Sequence, residues 1–168
     1  LKLNHLVDRF ADKLHQKNLS NYDLVISYGY NYLIERKHLI QCKRPPINLH
    51  ISLLPLNRGS DPNFWSWYNN TKHGVTIHHI DEGIDTGDII IQKEIFFNNK
   101  TKLSESYNIL NESIQNIFLD NLEDILNFNY EVKKQFEKDF EWLDEQFQHF
   151  LDFRKLLLPK LAVLAEKL

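Results

Sequence analysis

A chain of 168 residues with 42% hydrophobic and 26% charged residues is long enough for one domain with its own core and short for two. A net charge of −3 without a basic block argues against nucleic acid as an obligate partner, and no apolar run approaches the roughly 18 residues of a membrane span. The single cysteine, Cys42, leaves no internal disulfide; with no secretory apolar stretch at the start, the cytoplasm is the expected compartment. The chain begins with Leu1 and holds no methionine, so we expect a processed, truncated or engineered piece of something longer.

In chain order, Leu3, Leu6, Val7, Phe10 and Leu14 fall at helical spacing and predict an amphipathic helix over 3–18. Tyr22 to Tyr28 is a short β-branched run ended by Gly29 and predicts a buried parallel strand. A short helix is expected from Tyr32 to Leu39, stopped before Pro45 and Pro46, and a strand from Ile47 to Ser52. Residues 53–63, with Pro55, Gly59 and Pro62, read as loop. Val75–Ile80 and Ile89–Ile95 read as two strands joined by a DEGIDTGD turn. Beyond Thr101 the period changes: Leu103, Tyr107, Leu110, Ile114, Ile117, Phe118 and Leu122 form one helical stripe, and Phe136, Phe140, Leu143, Phe147 and Phe150 a second. Residues 1–99 therefore read as an α/β core and 100–168 as a helical C-terminal extension.

The chemistry concentrates between Asn48 and Gln92. Side chains at i and i+2 of a strand share a face, so Asn48 and His50 are able to converge on one reacting atom. An amide donor beside an imidazole suits a developing oxyanion. Taken alone, the pair reads equally as a strand end and a satisfied, partly buried histidine. Asp85 lies in E-G-I-D-T-G-D, where Gly83 and Gly87 are expected to supply positive φ for a tight reversal. It is either a plain turn residue or a carboxylate that keeps His50 charged and takes the proton of an attacking amine. Asp81, Glu82 and Asp88 lack the alternating oxygen ligands of a calcium loop, and no metal is expected. Of His78 and His79, which point to opposite strand faces, one should be packed and the other exposed. Arg58 is a bidentate anion contact or a surface arginine. Trp65 and Trp67 are expected to share a face, for packing or for stacking on a ring of the substrate.

The run N-L-H-I-S-L-L-P, the R-G after it, P-N-x-W-S, G-V-T-I-H and D-E-G-I-D-T-G-D-I-I-x-Q resemble, in that order, the formyltransferase family that uses 10-formyltetrahydrofolate. That family includes glycinamide ribonucleotide transformylase, methionyl-tRNA formyltransferase and the nucleotide-sugar N-formyltransferases. The resemblance is specific from Asn48 to Gln92 and weaker back to Tyr22 and forward to about Asn127. It implies a Rossmann-like, three-layer α/β fold with a mostly parallel sheet, and a catalytic set of Asn48, His50 and Asp85. It further implies backbone contacts to the pterin from Tyr32, Leu33 and Ile34 and from Asp81, Glu82 and Gly83. Arg58 and Trp65 are the expected acceptor-binding residues.

P-N-x-W-S and the run L-S-E-S-Y-N-I-L look most like the sugar N-formyltransferases, whose acceptors are dTDP-linked 4-amino-deoxysugars. Residues 102–168 carry 13 acidic and 8 basic side chains, which weighs against tRNA as the acceptor. A homodimer is one assembly left open. The resemblance also implies further strands ahead of the one at Tyr22, where only 21 residues precede it, and residues 128–168 match nothing in the family. An inactive, truncated interaction module therefore stands as the alternative, as does formylation of methionyl-tRNA or glycinamide ribonucleotide.

Overall fold

The computed structural model describes residues 7–14 and 17–135, all within one compact unit, Leu1–Gln135. The stripe at Phe136–Phe150 and the apolar tail beyond it lie outside the described residues. Four strands form one sheet in the order β1 (Ile26–Tyr28), β2 (Ile47–His50), β3 (His73–His79) and β4 (Ile89–Ile95). β1 and β2 are parallel, joined by a crossover that contains α1 (Arg36–Leu39), whereas β2–β3 and β3–β4 are antiparallel. The α/β class holds, but the sheet is mixed rather than mostly parallel. The physical reason is the connection: a short turn such as Ile80–Asp88 returns the chain beside itself and so pairs strands antiparallel. β1 is also less buried than expected, with Ile26 and Tyr28 both exposed.

The core lies on one face of β2 and β3. Ile47, Leu49, Val75 and Ile77 pack there against Leu110 and Ile114 of α3 (Leu103–Asp120) and Ile125 of α4 (Leu122–Asn127). Burying each such side chain contributes about 1.5–3 kcal/mol. The stripe foreseen after Thr101 is α3, whose start is braced by Glu105 Oε2 accepting from the Lys102 N–H at 3.4 Å. Its first members, Leu103 and Tyr107, remain exposed and line a cleft rather than the core.

Two local expectations are corrected. Residues 7–14, within the predicted helix 3–18, carry no helix; Phe10 and Leu14 instead join a second cluster with Leu19, Ile34, Tyr30 and Ile80. The Leu14 N–H is satisfied by Tyr30 Oη at 3.0 Å, so tertiary partners replace the helical ladder. The predicted loop 53–63 gives way at its end to α2 (Pro62–Tyr68), which begins with proline, a residue suited to the first helical turn. On a helix, residues i and i+2 face different ways. Trp67 accordingly stacks on Phe97 and donates to Ser106 Oγ at 2.9 Å, while Trp65 packs on Phe64 and Tyr68. No helix among the described residues is long and apolar enough to cross a membrane.

Candidate active site

β2 carries Asn48 and His50 on the face opposite Ile47 and Leu49, and pairing with β3 sets Asn48 opposite His78 and His50 opposite Thr76. The turn after β3 then places Asp85 against both β2 residues. Asn48 Nδ2 donates to Asp85 Oδ1 at 3.1 Å, and His50 Nδ1 lies 3.6 Å from Asp85 Oδ2. The other side of the imidazole is held by Asn57, whose carbonyl accepts from His50 Nε2 at 3.1 Å. Asp85 Oδ2 also accepts from the Gly59 N–H at 2.9 Å.

His78 completes the arrangement and was not singled out from the sequence. It is fully buried; its Nδ1 donates to the His79 carbonyl at 2.7 Å, which turns Nε2 toward Asn48 Nδ2 (3.3 Å) and Asp85 Oδ1 (3.4 Å). A neutral ring accepts the second Asn48 hydrogen, and a charged one bonds Asp85. The signal for it was the period-two pattern across two paired strands, which needs the register to be read. His79, on the other face, is half-buried against Tyr130.

The turn reaches its shape differently from the sequence expectation. Neither Gly83 nor Gly87 has positive φ; Asp85 itself does, at 52°. The two glycines are required for close approach, since a Cβ on Gly87 would run into the His79 carbonyl and one on Gly83 into Thr86. Asp81 Oδ1 braces the turn from within by accepting from the Gly83 N–H at 3.0 Å and from Thr86 Oγ1.

Electrostatics divide the pair. Burial pushes the His50 imidazole below its ordinary pKa, aided by nearby His78; Asp85 and the Asn57 carbonyl pull the other way and lose. Asp85 thus pulls His50 toward its charged form, but the net direction in the free protein is down. Burial opposes ionisation of Asp85 as well, yet the His50 and His78 interactions and the Gly59 N–H outweigh it and hold this carboxyl well below the usual range. Two of its donors, Asn48 Nδ2 and Gly59 N, are neutral groups whose hydrogen bonds do not depend on the His50 proton.

These residues floor a cleft of about 870 Å³ beside the carboxyl ends of the parallel pair β1 and β2, where ligands bind in open α/β sheets. That volume lies in the range of small-molecule sites. Tyr32, Leu33, Ile34, Asp81 and Gly83 line it along with Asn48, His50, His78 and Asp85. Glu82 is not part of the lining; it is exposed and pairs with Arg36 at 3.2 Å. Neither Arg58 nor Trp65 lines the cleft: Arg58 is buried, with its guanidinium on Gln135, and Trp65 packs within α2. Among the described residues, no group of three or more His, Cys, Asp or Glu is placed to hold a metal ion.

A model of the formyl transferase family matches residues 7–122. The chain belongs to the formyl transferase family. It is 41% identical over 107 residues to a methionyl-tRNA formyltransferase of Thermodesulfovibrio yellowstonii, covering 61% of this chain and 34% of that protein. The chain thus spans about a third of the length of that curated relative. It resembles the crystal structure of the formyltransferase PseJ from Anoxybacillus kamchatkensis, solved with UDP-4,6-dideoxy-4-formamido-L-AltNAc and tetrahydrofolate. That likeness has a TM-score of 0.72 and 40% identity over 76% of this chain and 69% of PseJ. A 4-N formyltransferase from Francisella tularensis follows, with a TM-score of 0.68 and 32% identity over 76% of this chain and 52% of that one. The Rossmann-like formyltransferase fold expected from the motifs is therefore the fold of this chain.

Proposed function

We propose that this formyltransferase chain moves a formyl group from 10-formyltetrahydrofolate to the primary amine of a nucleotide-linked amino sugar. The observation that carries the reading is the convergence of Asn48 and His50 on Asp85, at 3.1 and 3.6 Å, on the floor of the cleft. Tyr32, Leu33, Ile34, Asp81 and Gly83 line the cleft, and these are the segments through which we assign folate binding.

Attack of the amine on the formyl carbon places negative charge on the formyl oxygen. Asn48 Nδ2–H and a protonated His50 are the donors for that charge. Burial keeps His50 below its ordinary pKa in the free protein, but a new oxyanion together with Asp85 raises its proton affinity. The proton that makes the imidazolium is the one shed by the attacking nitrogen, relayed from Asp85 to His50 Nδ1 across 3.6 Å before it reaches the leaving group. Asp85, ionised from the start, takes the proton shed by the attacking nitrogen. That proton passes to the departing folate nitrogen as its bond to carbon breaks, so proton and formyl exchange places.

The sugar acceptor is favoured by the resemblance to PseJ and by the P-N-x-W-S stretch. The match to methionyl-tRNA formyltransferases supports tRNA as a second reading, with the same chemistry at the formyl carbon. The test is incubation with 10-formyltetrahydrofolate and a panel of dTDP- and UDP-amino sugars, methionyl-tRNA and glycinamide ribonucleotide, followed by mass spectrometry. The expected result is a formyl mass gain on an amino sugar that is lost in His50→Ala. Absence of gain on every acceptor refutes the reading, and gain on methionyl-tRNA alone selects the second.

A further inference from the structure

Gln135 lies beyond the residues matched by the family model, 7–122, and does not line the cleft, yet its amide ends on the turn that carries Asp85. Nε2 donates to the Asp85 carbonyl at 3.1 Å and to the Gly87 carbonyl at 2.7 Å, while Oε1 accepts from Arg58 Nε at 3.1 Å and Nη2 at 2.6 Å. A primary amide has two N–H donors and a carbonyl with two lone pairs, so these four bonds use all of them. Its orientation is forced, because a guanidinium only donates and peptide carbonyls only accept. The chain is brought there by a two-way backbone bridge between Lys133 and Ile89, 2.8 Å in each direction.

Arg58 lies between two residues that contact the site. Asn57 accepts from His50 Nε2, and Gly59 donates to Asp85 Oδ2. Gln135 therefore ties the loop that orients His50 to the turn that carries Asp85. That turn needs external support, since Asp85 sits at φ 52°, a conformation that an L-residue keeps only where its surroundings over-determine it.

We propose that Gln135 is a positioning residue that acts through Arg58 and the Asp85 turn to fix the His50–Asp85 geometry, from outside the family-matched segment and without touching substrate. Its consequence for rate rests on the formyl-transfer reading; its consequence for geometry does not. Misplacing a catalytic group by about 1 Å costs on the order of a hundredfold in rate.

The experiment compares the full chain with Q135A and Q135E, each checked for native circular dichroism. With the acceptor found above, both variants are expected to lower kcat by at least about tenfold while KM for both substrates stays within about threefold. Q135E is the discriminating variant: it preserves size and an acceptor for Arg58 but replaces the two amide donors with an oxygen. Restoration of kcat by Q135E, or a kcat for Q135A within about twofold of the unaltered chain, overturns the proposal. An NMR titration of the His50 imidazole without substrate keeps the two inferences apart. It is expected to show displaced resonances and midpoints in Q135A even if the unaltered chain transfers no formyl group. Superposable imidazole titrations in a folded Q135A overturn the geometric role.

Discussion

The two faces of β2 put opposite demands on neighbouring residues. Ile47 and Leu49 enter an apolar core with Ile114 and Ile77, where shape and burial matter and no polar partner is needed. Asn48 and His50 enter a cleft, where Asn48 Nδ2 bonds Asp85 and His50 Nε2 bonds the Asn57 carbonyl. A strand of four residues thus serves stability and chemistry at once, because its side chains alternate. Substitutions on the two faces should therefore separate rate from stability.

The largest separation is expected at Asp85. Asp85→Asn retains the shape but removes the charge we propose takes the amine proton, and formyl transfer should fall by about 10²–10⁴-fold in a product-mass time course. Its urea midpoint should move less than that of a core variant. On the other face, Ile114→Ala leaves a cavity under the sheet and should cost about 2–5 kcal/mol in urea unfolding, while folded molecules keep their kcat. A core variant with lost kcat and unchanged stability would break the comparison.

A smaller, pH-dependent difference follows from the depressed Asp85 carboxyl. A group with a lowered folded-state pKa contributes stability that is present above the unfolded value, about 4, and is lost as pH falls through the folded value. The urea midpoint of the unaltered chain should consequently fall more steeply below pH about 4 than that of Asp85→Asn. His50 adds to the acid sensitivity at higher pH: burial lowers its pKa, so unfolding takes up a proton as pH drops below about 6.5. The smallest effect belongs to the exposed Arg36–Glu82 pair, where Glu82→Gln should alter stability by less than about 0.5 kcal/mol.

Legibility in the sequence follows the range of the interactions. β4 matches its predicted bounds at Ile89 and Ile95, and α3 follows its apolar stripe, because both periods are local and agree with their packing. The Asn48–His50 pairing was legible for the same reason. His78 was missed because its role depends on which β2 residue it faces, a register that no local pattern states. Phe10 and Leu14 had helical spacing but found partners in Tyr30 and Ile34, and tertiary packing overrode the period. Arg58 read equally as an anion contact or a surface arginine; it is instead buried, and its guanidinium meets an amide 77 positions away.

By itself the sequence determined the family, the reaction class it implies and the residues that converge on one face of β2, since ordered motifs and a two-residue period are written in the chain. The tertiary structure decided that the sheet is mixed, that burial pushes the His50 imidazole below its ordinary pKa, and that Asp85 carries the positive φ of its turn. It also brought His78 and Gln135 to the site. All of these depend on contacts between segments far apart in the chain, where burial and register, rather than local preference, set the energy.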